Sequence, residues 1–245
     1  IDGCVAVFAR FAELGKIGVL ALMCDSTKVE RKGYTMSVST VGETFNHLFS
    51  KAMARFIVAT FASNLHRILL IIEAAEHYNR KVAVSGRSME NIVAVAMDLG
   101  YIKANEGVLI GIDAINRYPN DKIVIVTTGS QGEPMSALTR MAAQEHKKVK
   151  IQEGDMVVIS ANPIPGNEKL VSRVVNQLFK RGAEVIYAAL ADVHVSGHAC
   201  QEELKLMHTL IKPKFFIPVH GEYRHLKQHA DLAVNLGMSR SNVVI

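Results

Sequence analysis

Cysteine is scarce in this 245-residue chain. Cys4, Cys24 and Cys200 are too few and too irregularly spaced for a disulfide framework or a zinc knuckle, and all three are expected to be reduced. Proline is sparse too, at 6 residues, and tandem repeats and low-complexity linkers are missing. No apolar run approaches the ~20 residues that span a bilayer, and nothing resembles a signal peptide. A disulfide scaffold and a membrane-spanning protein are thereby excluded, and the expected location is the cytoplasm. Several catalytic signatures are lacking as well. There is no Gly-x-Ser-x-Gly elbow, and the cysteines have no obvious neighbouring base. Neither a Walker A sequence nor a Gly-x-Gly-x-x-Gly after a strand is found, which disfavours a standard ATPase or dinucleotide enzyme.

What remains has the profile of a folded globular protein: 49% apolar residues, 21% charged and 17 Gly. The length suits one large α/β domain or a pair of smaller ones. The formal charge of +5 and a pI near 9.1 suit a polyanionic partner, because each neutralised phosphate releases counterions. Charge alone discriminates poorly, since many basic proteins bind no nucleic acid. The chain starts at Ile1-Asp2-Gly3 without an initiator Met and ends in Asn242-Val243-Val244-Ile245, so it reads as a segment of a longer protein.

Short apolar runs at Ile17 to Met23, Phe56 to Phe61, Val82 to Ser85, Ile123 to Thr127, Met156 to Ser160, Val185 to Tyr187 and Phe215 to Val219 predict buried strands. Helical spacing is found over 37–53, 64–78, 89–99, 135–143, 167–180, 202–211 and 224–236. The alternation predicts an α/β fold with a doubly wound, mainly parallel sheet. Ligands gather at the carboxyl ends of such strands. The residues there are polar: Cys24-Asp25-Ser26-Thr27, Ala62-Ser63-Asn64, Gly86-Arg87-Ser88, Gly129-Ser130-Gln131-Gly132-Glu133 and Asn162-Pro163. Any one of these loops is accounted for by capping of the following helix. Their number and the Arg point to a phosphate-binding edge. The cluster Asn162-Pro163-Ile164-Pro165-Gly166 is a candidate hinge or turn, and Lys147-Lys148-Val149-Lys150 a solvated one.

Of ten histidines, His194, His198 and His220 stand in suggestive settings. A neutral imidazole at a strand end beside a glycine, as at His220-Gly221, is placed to ligate a metal or exchange protons near neutral pH. A single histidine is more often simply hydrogen-bonded, and no His-x-His-x-Asp-His cluster is present to complete a metal site. Cys200, two residues from His198, needs no role beyond that of a small apolar filler.

Six segments, in order and spacing, resemble the ribonuclease J family of the metallo-β-lactamase superfamily. They are Cys24-Asp25-Ser26-Thr27, Thr60-Phe61-Ala62-Ser63-Asn64-Leu65-His66-Arg67, Gly86-Arg87-Ser88-Met89, Thr128-Gly129-Ser130-Gln131-Gly132-Glu133-Pro134, His194-Val195-Ser196-Gly197-His198 and Pro218-Val219-His220-Gly221-Glu222-Tyr223-Arg224. The resemblance implies a Rossmann-like β-CASP domain over 39–190, flanked by pieces of a metallo-β-lactamase fold at 1–38 and 191–245. It implies that Asp25 is the acidic residue of motif A, His198 the motif B histidine and His220 a metal-ligating motif C histidine. A carboxylate hydrogen-bonded to an imidazole fixes its tautomer and prepares it to protonate a leaving oxygen, so His198 becomes the implied general acid and Asp25 its orienter.

The same resemblance implies that Ser63, Arg87, Ser88, Ser130, His194, Ser196 and Gly197 bind RNA phosphate, a 5′-monophosphate on the substrate. Two divalent ions, zinc or manganese, are implied for the full-length protein. So are a single-stranded RNA substrate cut from its 5′ end or internally, no membrane partner, and assembly as a homo-oligomer or with a paralogue. The remaining ligands of the family's metal site are expected upstream of Ile1, so the chain alone is expected to be inactive. Two alternatives stay open: a non-catalytic RNA- or nucleotide-binding α/β module, and a non-nucleolytic hydrolase of the same superfamily.

Overall fold

A computed structural model describes residues 7–187, 190, 191, 193 and 195–245, with Val38 described by its backbone alone. Cys4 and His194 lie outside the described residues. The chain separates into two compact units, one made of Ile1–Ser37 and Ser196–Ile245, the other of Val38–Val195. The strand pairings in both are parallel, in a mixed α/β architecture.

The first unit holds α1 (Phe8–Ile17), β1 (Ala21–Asp25), α7 (Gln201–Ile211), β8 (Phe215–Val219) and α8 (Tyr223–Asn235). Strands β1 and β8 form a two-stranded sheet in which Asp25 lies opposite Val219. The register continues past the strands, where Ser26 N–H donates to Val219 O at 2.9 Å. Asp25 and the residue after Val219, His220, are thus brought alongside one another. A small core of Leu22, Ile211, Phe216 and Ala233 backs this sheet.

The second unit contains α2 (Val38–Lys51), β2 (Phe56–Ala59), α3 (Leu65–His77), β3 (Lys81–Ser85), α4 (Arg87–Asp98), β4 (Leu109–Ile110), β5 (Ile123–Thr127), α5 (Ala137–Ala142), β6 (Met156–Ile159), α6 (Glu168–Lys180) and β7 (Glu184–Tyr187). Its strands form one sheet in the order β4-β3-β5-β2-β6-β7. The period-two alternation of strand side chains explains how both faces are covered. Phe56, Val58, Val124, Val126, Met156 and Val158 enter one core with α2, α3 and α4. Ile57, Ala59, Ile123, Ile125, Val157 and Ile159 enter the other with α5 and α6. The loop after β2 therefore leads to one layer, while those after its neighbours β5 and β6 lead to the other. This is the arrangement that opens a crevice at strand carboxyl ends. Gly86 and Gly132 shape two of these loops. Gly86 has φ +114, and a Cβ there would meet Thr128 Oγ1 at 2.7 Å; a Cβ on Gly132 would lie 2.6 Å from the Leu170 backbone.

Three expectations need correction. The run Ile17 to Met23 is not a buried strand: Ile17 closes α1, and β1 begins at Ala21 with Met23 exposed. The five polar strand ends do not share one edge, since Cys24–Thr27 follows the two-stranded sheet and the other four follow the six-stranded one. Lys147–Lys150 is not simply solvated, because Val149 is fully buried and Lys148 Nζ pairs with Asp113 Oδ2 at 2.7 Å. No described helix is long and apolar enough to cross a membrane.

Candidate active site

Asp25, His198 and His220 come together in the first unit, although 173 and 195 positions separate the histidines from the aspartate. Both imidazoles donate Nδ1–H to the same oxygen, Asp25 Oδ2, at 2.8 Å each. The other oxygen, Oδ1, accepts the Thr27 backbone N–H at 2.8 Å and the Thr27 hydroxyl at 2.6 Å. A carboxylate offers about four lone-pair positions, and four donors occupy them. Partial burial works to raise the Asp25 pKa. The hydrogen bonds from His220, Thr27 and His198 outweigh it and hold the carboxyl well below the usual range.

Each ring is delivered by a defined piece of backbone. His220 has φ +60, uncommon for a residue other than glycine. It lies between the end of β8 and Gly221, which has φ +106. His198 precedes α7, whose cap Cys200 donates its N–H to Glu203 Oε2 at 2.7 Å. The same carboxylate oxygen accepts the Thr35 N–H at 3.0 Å. The Thr35 hydroxyl lies 2.7 Å from Glu203 Oε2 and 2.9 Å from His198 O. The His198 N–H donates to Ser196 Oγ at 3.3 Å. Cys200 itself is buried, in keeping with a packing role.

The chemistry of this donor set is asymmetric. With every lone pair of Asp25 engaged, the carboxylate serves as an orienting base and not as a direct ligand. With both Nδ1 atoms committed, each ring turns its Nε2 outward. That is the arrangement of metal-ligating histidines, whose second nitrogen donates to a carboxylate that fixes tautomer and ring orientation. The residues thus fit a divalent ion held through an imidazole Nε2, and the geometry treats His198 and His220 alike. The two rings stand side by side, with centroids 5.2 Å apart.

The phosphate candidates distribute differently. Ser196 and Gly197 lie in the first unit, directly before His198. Ser63, Arg87 and Ser88 are exposed at strand ends of the second unit, and Ser130 is buried there. No hydrogen bond or ion pair among the described residues uses the side chains of these four. Two buried neighbours, Thr60 and Arg67, bound one of the segments that carry the resemblance but have no role assigned from it. The Thr60 hydroxyl is buried without a partner among the described residues. Arg67 is fully buried, donates through Nη1 to Ser160 O and Oγ at 3.0 and 3.1 Å, and is lowered to about 10 by that burial. In the first unit, Ser26 stands in the Cys24–Thr27 segment without a role of its own, and no motif or spacing marks His208 and His229, which lie on two separate helices.

Two family models match the chain. Residues 53–178 match the family model "Ribonuclease J, beta-CASP domain", and 184–245 match "Zn-dependent metallo-hydrolase RNA specificity domain". Ribonuclease J of Helicobacter pylori (strain ATCC 700392 / 26695) is 47% identical over all 245 residues, which span 36% of that relative. Ribonuclease J of Synechocystis is 46% identical over the whole chain, spanning 38% of the relative. Ribonuclease J2 of Bacillus subtilis is 47% identical over 236 residues, 96% of this chain and 42% of the relative. The chain therefore spans well under half the length of these relatives. With more than half of its residues inside the first family model, and the second model naming divalent-metal chemistry over the segment that carries His198 and His220, the chain belongs to the ribonuclease J β-CASP family.

Proposed function

We propose that this chain carries the proton donor and one metal ligand of a metal-dependent ribonuclease that hydrolyses phosphodiesters of single-stranded RNA, from the 5′ end, internally, or both. One observation supports this above the others: a single carboxylate oxygen orders two imidazoles so that both present Nε2 outward. A module that only bound phosphate would have no use for that trio.

In this reading His220 Nε2 ligates one of two divalent ions, zinc or manganese, which supply Lewis acidity and an activated water when bound. His198 in its imidazolium form, with Nδ1–H held by Asp25, gives its Nε2 proton to the leaving oxygen and is left as the Nδ1–H tautomer, while Asp25 keeps both rings in the orientation these tasks require. Thr27 keeps the carboxylate from rotating. Ser196 and Gly197 in one unit, and Ser63, Arg87, Ser88 and Ser130 in the other, are the proposed phosphate contacts. Arg87 supplies a planar, permanently charged fork, and the exposed serines supply hydroxyl donors. A 5′-monophosphate on the RNA, a cytoplasmic role in RNA processing and decay, and assembly with a second copy or a paralogue belong to the same proposal.

The 245 residues alone are proposed to be inactive, because two imidazole nitrogens and a saturated carboxylate do not hold a hydrolytic metal pair. The test compares the isolated chain with a full-length ribonuclease J containing it, on one 5′-monophosphorylated RNA with zinc, magnesium or manganese. The isolated chain should show no cleavage. In the full-length protein His220→Ala should lose both metal and activity. Cleavage by the isolated chain that disappears with His220→Ala, or full metal content in the full-length variant, would refute the reading.

A further inference from the structure

Beneath the Asp25 turn lies a run of buried polar side chains for which the proposed chemistry has no use. Ser26 and His229 are fully buried, and His208 nearly so. Ser26 Oγ is 3.0 Å from His229 Nδ1, and His229 Nε2 is 3.3 Å from His208 Nε2. The Phe216 ring packs edge-on against both imidazoles, at centroid distances of 4.4 Å to His208 and 4.7 Å to His229. Burial lowers His208 to about 4; burial and then the neighbouring His208 lower His229 to about 3, against an opposing pull from Asp25. Both rings are therefore neutral near pH 7.

Two neutral imidazoles that meet through Nε2 require one N–H and one lone pair at the contact. If His229 donates there, its Nδ1 accepts the Ser26 hydroxyl proton; if it accepts there, its Nδ1–H donates to Ser26. In either arrangement the Ser26 hydroxyl is held by a ring on α8. An apolar side chain would fill the same space without desolvating two imidazoles. What those imidazoles hold is the residue between Asp25 and Thr27. Ser26 also donates its backbone N–H to Val219 O, directly before His220.

We propose that His229, backed by His208, is a positioning residue: through Ser26 it holds the Asp25–Thr27 turn in the conformation in which one carboxylate oxygen receives both His198 and His220. The proposal rests on the functional reading above for its chemical consequence, whereas the geometry it concerns lies within the first unit and is measured without metal or RNA.

The test uses the purified chain with 15N-labelled histidine and long-range 1H–15N correlation. In the unaltered chain His198 and His220 should both appear as Nδ1–H tautomers with protected ring protons. Ser26→Ala and His229→Phe should each lose those protected protons and show mixed tautomers at both rings. His229→Gln, whose amide still donates and accepts, should recover the original pattern. A merely structural role would leave the tautomers unmoved in Ser26→Ala, which removes a single oxygen. If His229→Phe does not fold, Ser26→Ala decides alone. A folded Ser26→Ala chain with both Nδ1–H signals intact would overturn the proposal. That outcome alongside RNA cleavage by the full-length protein would leave the functional reading standing. The expected tautomer losses together with no cleavage would sink the functional reading and leave the positioning link.

Discussion

The polar strand ends of the two units are organised in opposite ways. In the first unit four donors converge on one carboxylate, and the residue inside its turn is anchored from below by a buried imidazole. In the second, Ser63, Arg87 and Ser88 stand exposed, and no hydrogen bond among the described residues uses their side chains. Buried support exists there too, but it ends on the Ser85 hydroxyl, which bonds to none of the exposed side chains. His146 Nδ1 accepts the N–H of Lys148 at 3.3 Å and of Val149 at 3.1 Å, so its Nε2–H donates to Ser85 at 3.2 Å, below Gly86 and Arg87. The contrast separates a centre whose donors are already paired from exposed side chains that, on the proposed reading, would be ordered by the phosphate they bind. Chemistry needs the first, because a misplaced proton donor loses rate steeply. Backbone phosphate contacts position a nucleic acid without demanding one rotamer.

Acid should break the comparison most visibly. The folded pKa values of His208 and His229, about 4 and about 3, lie below the unfolded value of ~6.5. The unfolded state therefore binds more protons in between. Their contribution to stability is complete above ~6.5 and is lost as pH falls through the folded values, by ~1.4 kcal/mol per pH unit for each proton. Asp25, whose folded carboxyl is depressed, adds a further loss only below ~4. Among its described residues the second unit has one such buried imidazole, His146, lowered by burial and then by Arg140, Lys148 and Lys150. Hydrogen exchange between pH 6.5 and 4 should show amides of β1 and β8 losing protection more steeply than those of β2, β5 and β6. Equal slopes would remove the buried histidine pair as a distinguishing feature.

A smaller effect sharpens the contrast from the other side. Titrating the chain with a nucleoside monophosphate should shift the amides of Arg87 and Ser88 and, in the first unit, Ser196, while the Thr27 amide, already bonded to Asp25, stays nearly still. Shifts confined to Lys147–Lys150 would show that the phosphate contacts are misassigned.

Much of the fold was legible because β2, β5 and β6 are covered on both faces and read as unbroken apolar runs. α1 is harder to read because its apolar positions are only half-buried: Phe11 packs on the Leu22 and Phe216 core, but no residue of the helix is fully buried. β4, at two residues, is too short to show a period. The residues of the Asp25 centre could be named from their motifs, but their convergence on one oxygen depends on the pairing of β1 with β8. His208 and His229 were illegible because a buried imidazole on an amphipathic helix looks like any other polar position until the packing is known, and without them Ser26 reads only as part of its motif.

The central claim is that Asp25 orders two imidazoles for different tasks, and it is tested most directly by pairing metal analysis with single-turnover cleavage in a full-length ribonuclease J containing this chain. His198→Ala should retain nearly all the metal while the rate falls ~10²–10⁴-fold, the usual contribution of a positioned proton donor. Asp25→Asn should behave in the same manner, since it removes the orienting charge without removing a ligand. Metal lost from the His198 variant, or cleavage unchanged in the Asp25 variant, would contradict the account.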